Sequence, residues 1–344
     1  MPCYHPMIAV RELNGKVKVI GAEASANVVN YRWQNESFIK TFTIPCGKCI
    51  GCRLEYSRQW AIRCVKELET TKGQSWFLTL TYDNDHLPRK TFQEEASGTR
   101  VQVGELRPTD LQLFIKRLRE RVRRKYNVEL RFFACGEYGD KYKRPHYHAI
   151  IFNLPLEETD MSYWSSNEGH VLYRNSFIDE VWNKGIVTVQ EVTWECCAYV
   201  ARYVMKKATG PNGFSYASDN GLQEEFVRMS RRPGIGQQYY INHKDDIFKV
   251  TFSDFGVKKV SPGNLGYAVT NNGPVLLRSC KYYDKLFDVE DSFGLAQVKR
   301  GRLAEAQRVN SLLMSKTSIS PYEYRWNQEV QKNSKVGYFS RDFD

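Results

Sequence analysis

The sequence predicts an α+β protein in which an antiparallel sheet of the split βαβ kind carries helices on its faces and a small Cys-rich segment precedes it. Three stretches predict this. Between Trp76 and Lys207 the hydrophobic periodicity reads strand, helix, two hairpin strands, helix, strand, helix. Residues 131–152 read as the hairpin itself, two apolar runs around a polar turn. Cys46-Gly-Lys-Cys49-Ile-Gly-Cys52 is too dense for chance, which would give about 0.006 such patterns at this cysteine content.

In chain order, residues 1–45 offer only short β-like pieces at 16–20 and 38–44. After the cysteines, Leu54, Ala61, Ile62, Val65 and Leu68 recur at helical spacing over 53–70, and Gly73 stops the helix. Residues 76–82, WFLTLTY, are an apolar strand, and the polar stretch from there to Gly104 reads as one long loop. Thr109 and Gln112 form a capping box that opens a helix with Leu111, Phe114, Ile115, Leu118 and Val122 on its inner face. Its outer face carries Lys116, Arg117, Arg119, Arg121, Arg123, Arg124 and Lys125, a run of one sign suited to phosphate, though such runs often only solvate a helix.

Beyond the hairpin, 154–174 reads as a loop. Ser176 caps a short helix through Trp182 that Gly185 ends, 186–192 is a strand, and Thr193 caps the helix TWECCAYVARYVMKK. After Gly236 come strand-like pieces around 248–257 and a charged helical stretch over 293–316, with no chemistry assigned. Three regions result: 1–72 is Cys-rich, 73–240 is the core, and 241–344 is of unassigned role.

Fifty Lys and Arg against 39 Asp and Glu give a formal net charge of +11, which favours a polyanionic partner, nucleic acid first. No run of 18 apolar residues and no basic-then-apolar leader is present, so the sequence reads as a non-exported protein without a membrane partner. Nine cysteines, an odd number, argue for thiols or metal ligands rather than a disulfide framework. The phosphate-binding pattern of nucleotide-driven motors is missing, so any unwinding must come from elsewhere.

Alternation puts His146 and His148 on one face of their strand and turns Tyr147 away. Glu137, where the first hairpin strand ends, can close on the same ion. Two nitrogens and one oxygen with positions left open suit a catalytic site better than a structural one. A chance pair of histidines is the plain alternative, expected about 0.1 times in this composition. In the cysteine cluster Gly47 and Gly51 allow the tight turns that aim thiolates at one ion, and Zn²⁺ is the natural occupant. Cys3 is the best fourth ligand, with His5 behind it; reduced thiols in a loop or an iron–sulfur cluster are the other readings. Tyr199 and Tyr203 share a helix face, with Lys206 and Lys207 a turn further on. They are core residues or nucleophiles; a phenol attacks only when a metal polarises its target or a cation stabilises the phenolate.

PCGKCIGCR, LTLTYDNDHLP, CGEYGDKYKRPHYHAIIF and AYVARYVMKK, followed by MSRRPGIG, resemble the HUH endonucleases, the nickases that start rolling-circle replication. The likeness is closer to the replication initiators of the gokushovirus branch of the Microviridae, small single-stranded DNA bacteriophages, and covers about residues 45–240. It implies a ferredoxin-like core, His146, His148 and Glu137 as ligands of Mg²⁺ or Mn²⁺, His86 as a replacement ligand, and Tyr199 and Tyr203 as nucleophiles. Tyr203 also fits a Tyr-x-x-Lys pattern with Lys206, which gives it the first cleavage. Tyr147 is aromatic where the family usually has an aliphatic residue. The implied reaction is a transesterification leaving a 5′-phosphotyrosine and a free 3′-OH, followed by religation of the displaced circle.

The implied partners are single-stranded and replicative-form viral DNA at the origin, host helicase and host DNA polymerase, in the cytoplasm of a bacterial host. Arg117, Arg121, Arg124, Lys207, Arg231 and Arg232 are the expected DNA contacts. A zinc-stapled DNA-binding protein without catalysis, or a phosphodiesterase that uses water, would explain less of the pattern.

Overall fold

The computed structural model describes residues 3–11, 16–22, 41–93, 100–139, 141–167, 170–206, 217, 220–248, 250–253, 256–260, 264–270 and 273–337. It is a mixed α+β chain of antiparallel sheets and helices in two compact units. One unit draws on Met1–Tyr56 and Leu313–Ser340, the other on Ser57–Lys207 and Pro211–Leu312.

In the first unit, β1 (Met7–Arg11) lies between β2 (Val17–Ala22) and β3 (Thr41–Ile44) in a three-stranded antiparallel sheet. Strand β1 escaped the sequence reading because five residues with an unbroken apolar centre show no alternation; Ile8, Ala9 and Val10 are buried. Helix α1 (Ile50–Thr70) starts inside the cysteine cluster, earlier than the apolar spacing suggests, and runs on into the second unit.

The second unit is built on a seven-stranded antiparallel sheet. Its elements follow as β4 (Trp76–Thr81), β5 (Arg89–Gln93), β6 (Arg100–Gly104), α2 (Pro108–Tyr126), β7 (Arg131–Tyr138), β8 (Pro145–Phe152), β9 (Met161–Asn167), β10 (His170–Asn175), α3 (Ser176–Trp182), β11 (Val187–Glu191), α4 (Trp194–Lys206) and β12 (Phe226–Met229). Across the sheet the order is β12-β7-β8-β4-β11-β10-β9. Helix α2 therefore links two strands, β4 and β7, that flank a third, β8. All eight residues of β8 are buried, which is why it reads as an apolar run interrupted only by its histidines.

The two faces of this sheet carry different helices. On one, Leu111, Phe114, Leu118 and Val122 of α2 and Trp182 of α3 pack on Leu78, Leu80, Tyr147 and Ala149. Each fully buried Leu, Val or Phe among them contributes about 1.5–3 kcal/mol by burial. On the other, Cys64 of α1 and Cys197, Tyr199 and Val200 of α4 pack on Phe77, Phe133, Cys135 and Ile150.

Local signals differ from the sequence reading at several points. Helix α2 begins on Pro108 with Arg107 as N-cap and no side-chain cap, so Thr109 is not the capping residue. Pro at the first helical position needs no N–H partner, and the backbone N–H and C=O of Arg107 are bound by the Tyr147 hydroxyl, each at 3.0 Å. Asn175, not Ser176, caps α3 through Ile178 N (3.1 Å), and Asn183 in the left-handed region ends it before Gly185. Gly185 is needed for another reason: a Cβ there would lie 2.3 Å from the Thr81 carbonyl. The loops expected at 83–104 and 154–174 contain the hairpins β5–β6 and β9–β10, the latter extending the main sheet.

Further along come α5 (Gln237–Ile247), the pairs β13–β14 (Val250–Ser253, Gly256–Val260) and β15–β16 (Asn264–Thr270, Gly273–Arg278), then α6 (Lys281–Glu290), α7 (Ser292–Met314) and α8 (Pro321–Gly337). Ile62 of α1, Tyr240, Phe248, Leu277, Tyr283 and Leu295 form one cluster. MSRRPGIG is its joint. Gly236 N donates to Glu67 Oε2 (2.6 Å), Arg63 Nε donates to the Ile235 carbonyl (2.9 Å) and the Tyr283 hydroxyl donates to the Gly236 carbonyl (3.0 Å). Among the described residues no helix is long and apolar enough to cross a membrane.

Candidate active site and metal centres

Register decides the first site. Glu137 is the cross-strand partner of His146, and Cys135 that of His148, so Glu137, His146 and His148 stand on one face of adjacent strands. Burial is nearly complete: Glu137 and His148 are 0% and His146 8% exposed. The ring nitrogen Nε2 of His148 lies 2.6 Å, and that of His146 3.1 Å, from Glu137 Oε1. Tyr199 of α4, 2% exposed, donates its hydroxyl to the same oxygen at 3.0 Å. Its ring stands edge-on to His148, centroids 5.0 Å apart, and Phe77 stacks on the imidazole at 5.4 Å.

The far ring nitrogens are also held. His146 Nδ1–H donates to the Arg144 carbonyl (3.1 Å), and Thr79 Oγ1 lies 3.0 Å from His148 Nδ1. Such outer partners fix the tautomer that leaves Nε2 lone pairs for an ion. Thr79 is a candidate site residue that the sequence does not single out; it stands on β4 directly across from His148, a pairing set by sheet order rather than by any motif. Burial alone would push the Glu137 carboxyl up, but the imidazoles of His148 and His146 hold it well below the usual carboxylate range. The three donors lie within 4.8 Å of one another, a set suited to one divalent ion.

Tyr147, pointing the other way, closes a buried polar chain. Its hydroxyl lies 2.7 Å from that of Tyr82, which donates to Asp110 Oδ2 at 2.7 Å. An aromatic residue between the histidines is thus accommodated, because its phenol is satisfied at the start of α2. His86 is bound to Asp83 (2.8 Å) and stands outside the triad. Tyr203 and Lys206 lie on α4 with side chains outside the described residues, and Lys207 lies outside them altogether.

In the other unit the thiols of Cys3, Cys46, Cys49 and Cys52 converge within 4.8 Å. Cys49 Sγ is 3.9 Å from Cys3 Sγ, and Cys46 Sγ is 4.0 Å from Cys52 Sγ. Backbone N–H groups point at the sulfurs: Cys46 N at Cys3 (3.2 Å), Cys49 N at Cys46 (3.3 Å), Tyr4 N at Cys49 (3.4 Å). Four sulfurs so ringed by N–H donors suit a tetrahedral ion. His5 instead pairs with Glu329 at 2.6 Å.

Among the described residues, the expected DNA contacts do not gather at the triad. Helix α2 packs on the opposite sheet face, where Arg117 donates to Asn183 Oδ1 (3.2 Å), Arg121 pairs with Glu180 (3.1 Å) and Arg124 with Glu120 (2.6 Å). Arg231 and Arg232 are exposed after β12, whose Met229 pairs with Phe133, at the end of β7 away from Glu137.

Residues 75–208 match the family model described as replication-associated protein ORF2/G2P. The chain is 29% identical over 347 residues to the replication-associated protein ORF2 of Spiroplasma virus 4, covering 99% of this chain and 98% of that one. It is 36% identical over 236 residues to the replication-associated protein VP4 of Bdellovibrio phage phiMH2K, covering 66% and 67%. Against the replication-associated protein ORF4 of Chlamydia phage 1 it is 28% identical over 253 residues, covering 73% and 57%. No solved structure matches. The chain belongs to this family of phage replication-associated proteins.

Proposed function

We propose that this protein is a rolling-circle replication initiator that nicks origin DNA by tyrosine transesterification and later religates the displaced circle. The observation that carries the reading is the Tyr199 hydroxyl 3.0 Å from the carboxylate that His146 and His148 flank. His146, His148 and Glu137 would hold Mg²⁺ or Mn²⁺, whose role when bound is to polarise the scissile phosphate. A tyrosine Oη attacks phosphorus in line, the P–O3′ bond breaks, and the products are a 5′-phosphotyrosine and a 3′-OH that primes synthesis. Glu137 Oε1, 3.0 Å from the Tyr199 hydroxyl, is the nearest acceptor for its proton, and passing that proton to the departing O3′ gives the 3′-OH. Tyr203, one turn on, is the partner nucleophile and takes the first cleavage on the strength of its spacing to Lys206, which stabilises the phenolate.

The strand order, with β8 between the two strands that α2 joins, supports the split βαβ HUH class for a core at 73–240. Zn²⁺ on Cys3, Cys46, Cys49 and Cys52 is the proposed staple of segment 1–72, and 241–344 keeps no assigned role. Exposed Arg121, Arg124, Arg231 and Arg232, with Arg117, supply phosphate contacts away from the chemistry, and Lys207 is a further proposed contact. Host helicase and polymerase in the bacterial cytoplasm complete the scheme. The test is incubation with single-stranded origin DNA and Mg²⁺ followed by a denaturing gel. A covalent adduct in wild type that is missing in His148→Ala supports the proposal; DNA binding without cleavage would favour the zinc-stapled binder instead.

A further inference from the structure

The triad face of the sheet is not covered evenly. Thr79 and Thr81 on β4 and Thr188 on β11 are only half-buried although their strands lie in the middle of the sheet, where the alternate residues Leu78, Leu80, Val187 and Val189 are fully buried. Pairing sets these threonines in rows with the triad: His148 stands across from Thr79, and Thr79 across from Thr188. On the next strand Tyr173 pairs with Val189, so alternation places Arg174 on the face of Thr188, in the row of His148. Three strand spacings separate Arg174 from His148, about 14 Å.

The row ends at Ser162 of edge strand β9, across from Arg174, and two residues further on, where the pairing is irregular between Tyr163 and Ser165, stands Trp164, 49% exposed. The Arg174 guanidinium lies over its ring, 5.1 Å from the centroid. Arg174 is itself fixed: Nε and Nη2 donate to Asp179 Oδ2 at 3.2 and 2.7 Å, and Asp179 Oδ1 accepts from Val187 N at 3.3 Å. A backbone amide of β11 thus orients Asp179, which orients Arg174, which props the indole. Edge strands are commonly blunted by charge; a half-exposed tryptophan braced by a guanidinium is the opposite arrangement and presents a rigid aromatic surface.

We propose that this strip is a track for single-stranded DNA, with the threonine floor running from the triad and Trp164 as a platform on which a base stacks. The inference rests on the nicking reading, because that reading brings a DNA strand onto this face. Single-stranded rather than duplex DNA fits, since only unpaired bases offer their faces to an aromatic ring, and such stacking tolerates any base. The net charge of +11 supplies the general attraction to the strand. Tyr163, next to Trp164 and 66% exposed, pairs with Tyr173, which packs against the core of the opposite face; it therefore lies off the track.

The test is fluorescence anisotropy of a fluorescein-labelled single-stranded oligonucleotide with the full chain in EDTA, so that no cleavage intervenes. Trp164→Ala should weaken binding about 5- to 100-fold, Trp164→Phe should restore most of it, and Tyr163→Ala should leave it unchanged. Affinity for the same sequence as a duplex should not respond to Trp164→Ala. Equal binding by wild type and Trp164→Ala, or equal losses at Trp164 and Tyr163, overturns the track. Adduct formation, measured separately with Mg²⁺, reports on the nicking reading alone.

Discussion

Tyr199 donates its hydroxyl to Glu137 Oε1 at 3.0 Å, the same oxygen that stands 2.6 Å from His148 Nε2. A phenol, a carboxylate and an imidazole from one helix and two strands meet in a buried pocket. Each of these contacts leads to a measurement.

Replacing His146 or His148 with Ala should lower cleavage at least about 100-fold while leaving DNA affinity within a few-fold of wild type, because ligands act on the transition state and affinity comes from Lys and Arg. Single-turnover cleavage and filter binding on the same preparations separate the two. Equal losses in both would point to a structural role for the histidines.

Thr79→Val keeps the shape of the side chain and removes the partner of His148 Nδ1. Loss of such an outer partner costs roughly 10–100-fold in metal affinity. A titration of cleavage rate against Mn²⁺ should shift by that factor, with saturating activity largely recovered. An unshifted curve would mean that Thr79 does not orient the ring.

Removing metal from the four cysteines should unfold or loosen the N-terminal unit rather than merely silence cleavage, since binding energy at such a site counts toward folding. Elemental analysis should find one Zn²⁺ per chain, and chelation should lower the melting temperature of a Cys46→Ser-sensitive transition. Metal-free protein with an unchanged transition would refute the staple.

Burial first, then the neighbouring Tyr147 and Asp110, pushes the Tyr82 phenol well above its ordinary value of 10.0. A group whose folded pKa is raised contributes stability that is complete below the unfolded pKa and is lost as pH rises past it. Urea midpoints should therefore fall as pH climbs above about 10, and Tyr82→Phe should flatten that fall while costing about 1–3 kcal/mol at neutral pH by removing the donor to Asp110 Oδ2. A fall of the same steepness in both proteins would exclude Tyr82 as its source.

Much of the site was legible because strand alternation is local. His146, His148 and Glu137 follow from two adjacent strands and one turn, and the Cys46, Cys49 and Cys52 spacing speaks for itself. Thr79, the Asp179–Arg174–Trp164 brace and the Tyr82–Tyr147–Asp110 chain were not legible, because each needs strand order and register that no window of sequence contains. Hairpin β9–β10 was hidden by its Ser and Asn content, which favours loops until an existing sheet edge supplies hydrogen bonds. The basic run of α2 is visible in the sequence, but only the sheet decides that its helix packs on the face away from the triad.

Tyrosine, and not water, is the proposed nucleophile, and Tyr199 and Tyr203 are both proposed to serve. Trapped products from wild type, Tyr199→Phe, Tyr203→Phe and the double variant should be digested and their DNA-linked peptides sequenced by mass spectrometry. DNA is expected on Tyr203 and Tyr199 in wild type, on the surviving tyrosine in each single variant, and on neither in the double. Cleavage without any tyrosine-linked peptide, or DNA on Tyr203 alone in every competent protein, would contradict it.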